Sequence, residues 1–275
     1  MIPVGILTAA ATSSFVGLLD TYPGAAVAYS LRKLRNGYTG ACVRVRRSSD
    51  NAESDINFTG AGYIDTAALL SFCGSSNGFV TIWYDQSVNA NNATQTNAID
   101  QNKIVNLGSL YTLGTKSSIY FENGFYNISN INILNDFSYF VTSQKTNGWN
   151  GILLGNSTND LRYFTQWNDG FFYISKPNGT NTLRYSSIGG SNVYSILQGF
   201  STTNVINSFW NNNNLSLTLN TTTASTIVNI NIIGGLGFGG RTRFCPLQEI
   251  IIYTNSQLVN RTGIVSNTNT FYTIF

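Results

Sequence analysis

Short segments of alternating apolar and polar residues recur along this 275-residue chain, and they constrain its fold more than any other feature. Tight-turn pairs such as Asn123-Gly124 and Asp169-Gly170 separate many of them. A period of two is typical of a half-buried strand, and Asn-Gly or Asp-Gly pairs favour hairpin turns. The clearest hairpin joins Arg162–Trp167 to Gly170–Ser175. Because few helical segments intervene, the sequence predicts an all-β sandwich or barrel and not an α/β fold.

The predicted strands are Ala41–Arg47, Phe79–Tyr84, Ser118–Phe121, Phe137–Ser143, Gly151–Gly155, Arg162–Trp167, Gly170–Ser175, Val193–Phe200, Val205–Trp210, Ile227–Ile233, Leu236–Phe238 and Gln248–Tyr253. No Pro-, Ser- or Gly-rich linker divides the chain. We therefore expect one domain over residues 1–275, with a helix-bearing layer formed by residues 1–110 and the main sandwich formed by residues 111–275.

Three short helices are predicted beside the strands. The first begins at Thr21, has Pro23 in its first turn, and follows an apolar stripe to Leu34. The other two are Thr66–Phe72, capped by Asp65, and a carboxy-terminal helix that begins at Asn255 or Ser256 and carries Leu258, Val259, Thr262 and Val265 on one side.

Composition excludes several classes of function. The net charge is only +3, and the basic residues lack the interleaved aromatics of a nucleic-acid groove, so no nucleic-acid partner is expected. With no His and three Cys, the chain lacks the ligands of an ordinary zinc site and the base of a Ser-His-Asp triad. We expect no metal and no cofactor. A Cys42–Cys73 bridge is one alternative, and three buried thiols, including Cys245, are the favoured one.

No apolar run is long enough to span a membrane, and the amino terminus lacks the basic region of a signal peptide. Acidic residues are few. We expect the trio Asp50, Glu53 and Asp55 to order a loop by hydrogen bonding. Asp85 is expected either to cap neighbouring backbone amides or to pair with a nearby arginine, Arg44, Arg46 or Arg47.

Two segments carry a family resemblance: Val43–Phe58, which contains VRVRRSSDN, and Phe79–Gln95, which contains FVTIWYDQS. Together they resemble the catalytic domain of fungal α-L-arabinofuranosidase B and uncharacterised phage and bacterial proteins that share this pattern. The stretches SIYFENGFYNI and IIGGLGFGGRTRFCPLQEIIIY extend the resemblance toward the carboxy terminus. The resemblance implies a concanavalin A-like jelly-roll sandwich with short helices in an amino-terminal layer and at the carboxy terminus.

The same resemblance argues against catalysis, because a retaining glycosidase needs two carboxylates. The family's nucleophile is a Glu in an Asp-Leu-Glu-Asn-Gly stretch, and the similar stretch here is Gln166–Gly170, which places Asn168 at that position. The family's acid/base Asp follows an Ile-Gly-Gly motif, whereas here no acid follows until Glu249. A vicinal cysteine pair of the family is also absent. No catalytic residue is therefore expected.

Aromatic rings beside amides suit sugar binding, since C–H faces stack on rings while hydroxyls bond amides. Core packing explains most aromatic residues of a sandwich, so we single out Trp149 and Trp167, which lie in or beside predicted turns. The predicted carbohydrate-binding residues are Trp149, Tyr163, Gln166, Trp167, Asn168, Asp169 and Arg241.

From these features we expect a non-catalytic, lectin-like virion surface protein of a phage, made in the host cytoplasm and released by lysis. Its expected partners are a cell-surface glycan and other virion proteins or copies of itself, with the uncharged stretch at residues 204–233 as a contact surface. Central strands with a solvated turn are the alternative for that stretch. The alternative function is a glycoside hydrolase of the arabinofuranosidase type that uses Asp169 with Glu249 or Glu122.

Overall fold

The fold is known from a computed structural model that describes residues 15–133, 137–145, 151–156, 162–166, 172–175, 182–185, 193–202, 205–210, 213–214, 228–235 and 243–275. Numbered in chain order, the helices are α1 (Leu18–Thr21), α2 (Thr66–Cys73) and α3 (Arg261–Tyr272), with 3-10 turns at Ala98–Asp100 and Leu258–Asn260. The strands β1 to β21 are Val27–Ser30, Val43–Arg47, Glu53–Ile56, Gly78–Trp83, Ala93–Thr94, Asn102–Asn106, Ser109–Leu110, Thr112–Leu113, Lys116–Ser117, Ile119–Glu122, Tyr126–Ile133, Phe137–Lys145, Gly151–Gly155, Arg162–Gln166, Phe172–Ser175, Thr182–Tyr185, Val193–Thr202, Val205–Trp210, Asn213–Asn214, Val228–Ile233 and Arg243–Tyr253.

Antiparallel pairing builds two layers from these strands. One layer runs β16-β15-β14-β13-β20-β11-β5-β4-β2-β3. The other runs β19-β18-β17-β12-β21, and β21 then pairs with β1 and β10. The pairs β10–β6 and β6–β4 join the layers at one side. The predicted all-β sandwich with few helices is confirmed.

Strand alternation sorts side chains to the two faces of the second layer. Val27 and Tyr29 of β1, with Ile250 and Ile252 of β21, pack into the core between the layers. The residues that alternate with them face outward but are also buried, because α1 and α3 cover this outer face. The side chains between the helices and the sheet form a second core, which contains Ala28, Ile251, Tyr253, Ile264 and Val265. Strand β21 is therefore buried on both faces.

The first predicted helix is wrong. Helix α1 ends at Thr21, and the stretch that carries the apolar stripe contains strand β1, Val27–Ser30. One edge of β1 pairs with β21. At the other edge, the Ala28 N–H donates to Asp85 Oδ1 at 2.8 Å, and the Gln86 N–H donates to the Ala28 carbonyl at 2.8 Å.

The Gln86 side chain continues this edge. Its Nε2 donates to the carbonyls of Ser30 and Arg32, both at 2.9 Å, and its Oε1 accepts from the Leu34 N–H at 2.7 Å. Because a buried extended segment needs partners for its backbone groups, these long-range bonds favour a strand over the local helical pattern.

The second predicted helix is confirmed: α2 is capped by Asp65, whose Oδ1 accepts from the Ala68 N–H at 2.9 Å, and it ends before Gly74. The carboxy-terminal helix exists, but its predicted apolar side is partly wrong. Leu258 and Val259 lie in a 3-10 turn and are 39% and 92% exposed. The buried side of α3 is formed by Ile264, Val265, Thr268 and Tyr272.

In the described part of the chain, no helix is both long and apolar enough to cross a membrane. The division into residues 1–110 and 111–275 stays a prediction. So does the contact surface at residues 204–233, much of which lies outside the described residues.

Candidate functional site

Several strand ends meet at one end of the sandwich. In the first layer, Gly151 pairs with Gln166, and Gln166 with Phe172. Beside them, Leu154 pairs with Ile233, which in turn pairs with Tyr126. Glu122, the last residue of β10, also lies near these strand ends. We therefore call the surface at these strand ends the Glu122 end.

Phe121 connects the two layers at this end. A Cβ on Gly234 would lie only 2.4 Å from the Phe121 ring and 3.2 Å from the Gly124 carbonyl oxygen, so β10, β20 and the turn after β10 are in close contact. Phe121 pairs with Cys245, and Glu122 with Arg243. The connections that contain residues 146–150, 167–171 and 236–242 therefore begin or end at strands that reach the Glu122 end.

These connections carry most of the residues predicted to bind sugar. The backbones of Tyr163 and Gln166 lie in β14. The other five predicted residues lie outside the described residues; they are Trp149, Trp167, Asn168, Asp169 and Arg241. Their roles stay predictions, but the strand register brings their flanking residues to one end of the fold.

Glu122 is an accessible carboxylate at this end. Its side chain is 42% exposed, and Oε2 lies 3.5 Å from Lys103 Nζ, which is 25% exposed. This distance and exposure leave the carboxylate open to solvent. Glu122 can therefore take part in proton transfer with a ligand bound at the Glu122 end.

Glu249, the other partner considered for Asp169, lies elsewhere. It is 1% exposed and faces outward from the middle of β21, beneath α3. Arg32 donates from Nε to Oε2 at 2.7 Å and from Nη2 to Oε1 at 3.0 Å, and Ser30 Oγ donates to Oε2 at 2.8 Å. A carboxylate enclosed in this way holds the helix to the sheet and has no access to a substrate at the strand ends.

Other acidic residues have structural partners, but Glu53 and Asp55 lie in β3 and not in the loop that the sequence predicted. Asp85 is buried and accepts from Ala28 N–H, Ser87 N–H and Asn91 N–H, so it caps backbone amides, whereas Arg44, Arg46 and Arg47 bond other residues. Arg47 bonds Asp50 and lowers the pKa of that carboxyl to about 2.

Asp55 lies on the exposed face of β3. The Arg44 guanidinium bonds both of its oxygens at 2.8 Å and lowers its pKa. Tyr84 Oη donates to the same carboxylate, and burial together with this bond raises the pKa of Tyr84 to about 12. The trio's remaining member, Glu53, contacts Thr81 Oγ1 at 3.4 Å.

No cluster of metal-ligating side chains occurs among the residues that the structure describes. Cys42, Cys73 and Cys245 are free and buried, which confirms three thiols over a Cys42–Cys73 bridge. Burial raises the pKa of all three, so they stay protonated at neutral pH.

The structure also reveals a cleft that the sequence did not predict. It measures about 800 Å³ and lies on the outer face of the second layer, between α1, the β8–β9 hairpin and α3. Its lining residues come from five separate segments of the chain, and among them are Lys33, Tyr63, Lys116 and Phe271. No local motif links these positions, so only the folded chain identifies the cleft.

Comparison with known families concerns the first half of the chain, which includes β1 to β12. Residues 20–145 match the model of the α-L-arabinofuranosidase B catalytic domain. The predicted resemblance to this family is confirmed for that part of the chain. The resemblance to phage and bacterial proteins stays a prediction.

Two further comparisons agree with this match. α-L-Arabinofuranosidase B of Aspergillus oryzae is 37% identical over 95 residues, which cover 32% of this chain and 19% of that protein. The α-L-arabinofuranosidase of Hypocrea jecorina is 37% identical over 73 residues, or 26% and 15% of the two chains. This chain thus spans about a fifth or less of the length of these relatives.

A solved GH54 α-L-arabinofuranosidase, soaked with a cyclic sulfate inhibitor, superimposes on 91% of this chain and 63% of its own with a TM-score of 0.70 at 15% identity. The similarity in backbone therefore extends well beyond residue 145 and confirms the fold over both layers.

These comparisons overturn the expectation of a non-catalytic, lectin-like phage virion protein. The matched model is that of a catalytic domain, and the similar curated proteins are α-L-arabinofuranosidases. The expectation depended on aligning Gln166–Gly170 with the family's nucleophile stretch. That stretch lies beyond the matched residues 20–145, so a short local similarity was given too much weight.

Proposed function

We propose that this chain is a glycoside hydrolase of the arabinofuranosidase type, which cleaves α-L-arabinofuranosides. The match of residues 20–145 to a catalytic-domain model carries this proposal. The shared fold supports it, because the same strand ends are available to form a site. The substrate is a terminal arabinofuranosyl group on a polysaccharide or oligosaccharide.

This reaction requires two carboxyl groups beside the glycosidic bond. One acts as general acid and protonates the leaving oxygen, and the other acts as nucleophile or as base for water. When the two carboxyl groups are about 5 Å apart, the configuration at the sugar carbon is retained. A distance of roughly 6.5–9.5 Å between them leaves room for a water molecule and leads to inversion.

The chain has 12 acidic residues, and three of them, Asp136, Asp160 and Asp169, lie outside the described residues. Asp160 lies just before Arg162, the first residue of β14, which pairs with Gly155. It is therefore at the far end of β14 from Gln166. Asp136 lies just before the first residue of β12, at the far end of that strand from Lys145. Of the three, only Asp169 belongs to a connection that starts and finishes at the Glu122 end.

Asp169 with Glu122 is therefore the pair that we assign to the reaction. Glu122 is exposed there, and among the described residues its carboxylate has a single ion-pair contact, to Lys103 at 3.5 Å, which suits a proton-transferring carboxyl group. Asp169 is the carboxylate of the connection between β14 and β15, whose flanking residues Gln166 and Phe172 pair at the Glu122 end. Asn168, as an amide, serves as a hydrogen-bonding group for the sugar.

Amide substitutions test this assignment. Asp169→Asn and Glu122→Gln should each lower kcat for an aryl α-L-arabinofuranoside by about 10²–10⁴-fold, because each removes one acid-base or nucleophilic function. Asp50→Asn is the matched control, since that exposed carboxylate is engaged by Arg47 in an ion pair at 2.6 Å. It should keep wild-type turnover.

The outcomes distinguish a failure of the proposed enzyme function from a failure of the assignment of Asp169 and Glu122. An active wild type whose Asp169→Asn and Glu122→Gln variants are equally active would show that other groups do the chemistry. A folded wild type without any arabinofuranosidase activity would remove the proposed function itself.

A further inference from the structure

The cleft on the outer face has a distinctive charge pattern. Its walls contain three cationic side chains, Arg32, Lys33 and Lys116, and no acidic residue. Arg32 is neutralised by Glu249 beneath it. For Lys33 and Lys116, no carboxylate lies within ion-pair distance among the residues that the structure describes. The cleft thus holds two uncompensated positive charges.

Aromatic rings fix the position of these ammonium groups. Lys116 Nζ lies 4.6 Å from the ring centroid of Tyr63 and 4.8 Å from that of Phe271. The two rings are themselves 5.2 Å apart. Lys33 Nζ lies 5.7 Å from the centroid of Phe15. Cation–π attraction holds each lysine against the wall, so less conformational entropy is lost when a ligand binds.

Hydrogen-bonding groups surround the charges. Hydroxyls of Thr115, Ser266 and Thr270 line the cleft together with the amide of Asn267. Asn267 Oδ1 accepts from Arg32 Nη1 at 2.7 Å, which leaves the N–H donors of this amide directed away from the guanidinium. A ligand that carries both an anionic group and several hydroxyls matches this lining.

We propose that the cleft is a second saccharide site, which binds a carboxylate-bearing sugar, a uronate, of an acidic polysaccharide. The carboxylate contacts Lys33 and Lys116, and the ring hydroxyls contact the threonine and serine hydroxyls and Asn267. The volume of about 800 Å³ falls within the range of small-ligand pockets and accommodates more than one sugar ring. The choice of a saccharide as the anion rests on the proposed glycoside hydrolase function.

The site is distinct from the Glu122 end. It lies on the outer face, over the middle of β21, where Arg32 lines it and Glu249 lies beneath Arg32. A uronate bound there would hold the polysaccharide to the protein while an arabinofuranosyl branch is cleaved at the strand ends. It therefore acts on substrate selection and not on the chemical step.

Isothermal titration calorimetry of the full chain with trigalacturonate tests the proposal. The wild type should bind it, with an affinity that falls as salt is added, because exposed charges are screened. The double variant Lys33→Gln, Lys116→Gln should weaken binding at least about tenfold. Arg44→Gln removes an equally exposed charge on another face and should leave binding unchanged. Circular dichroism checks that the variants are folded.

Two further ligands define the specificity. The methyl ester of trigalacturonate lacks the charge and should bind at least about tenfold more weakly. Inorganic phosphate lacks the sugar and should not compete. Equal binding of the ester, competition by phosphate, unchanged binding by the double variant, or no binding of trigalacturonate would each overturn the proposal. Arabinofuranoside hydrolysis by the same preparation is a separate readout, so failure of the uronate site and failure of the proposed enzyme function are distinguishable.

Discussion

Arg32 and Glu249 form a two-point ion pair across 217 residues of sequence, with Nε–Oε2 at 2.7 Å and Nη2–Oε1 at 3.0 Å. The pair is buried between β21 and α3, and Arg32 Nη2 also donates to Thr268 Oγ1 of the helix at 3.2 Å. Through these bonds Arg32, two residues after β1, is held to β21 and to α3, and its side chain lines the basic cleft.

Glu249→Gln should destabilise the protein by about 3–5 kcal/mol, because it leaves the Arg32 charge buried without a partner. The exposed pair Arg44–Asp55 has the same two-point geometry, at 2.8 Å and 2.8 Å, and is a matched control. Asp55→Asn should cost about 0–1 kcal/mol, since water screens that pair. Denaturant unfolding measures both; equal losses would contradict the role of burial.

Gln86→Ala should destabilise the protein by roughly 2–4 kcal/mol, because three buried hydrogen bonds to the backbone of residues 30–34 are lost. Asn132→Ala, an exposed amide in β11, is the control and should change the free energy of unfolding by less than about 0.5 kcal/mol. If Gln86→Ala unfolds at the wild-type denaturant midpoint, its side chain does not secure the edge of β1.

Gly17→Ala should be destabilising by about 1–3 kcal/mol, because an added Cβ would lie 2.1 Å from the Leu34 carbonyl oxygen. That same carbonyl accepts from the Leu19 N–H at 2.8 Å, so it cannot move without loss of the bond. Gly60→Ala places its Cβ in open space and should be neutral. Thermal unfolding compares the two; similar midpoints would mean that α1 does not pack as described.

The three thiols should resist labelling in the native protein near pH 8.5, where a free cysteine is about half ionised. Burial raises the pKa of Cys42 and Cys245, so the reactive thiolate is absent until the chain unfolds. The same shift makes folding less favourable as pH rises above about 8.5, because the unfolded state then releases protons that the folded state keeps. Rapid native labelling of all three by a thiol reagent would contradict this.

Much of the fold could be predicted from local sequence. Strand β2 follows apolar alternation, and α2 follows a capping Asp65 and a terminal Gly74. The strand after Pro23 could not be predicted from local sequence, because the same apolar residues fit both a helical stripe and a buried strand. Distant partners decide between the two: β21 pairs with one edge of the strand, and Asp85 and Gln86 bond the other.

The candidate site was predictable only in part. Turn residues around Asp169 indicated a hairpin, but its neighbours at the Glu122 end come from β10, β13 and β20 and are set by strand register. Glu249 had the residue type of a catalytic acid, yet burial against Arg32 excludes that role. The lysines of the cleft carried no motif at all, since folding alone brings Lys33 and Lys116 together.

Release of 4-nitrophenol from 4-nitrophenyl α-L-arabinofuranoside is the most direct test of the enzyme function. We predict turnover that is proportional to protein concentration for the folded wild type and is lost in Asp169→Asn, with the α-L-arabinopyranoside as a control that should not be cleaved. A protein that circular dichroism shows to be folded and β-rich, yet that releases no more 4-nitrophenol than buffer, would contradict the account.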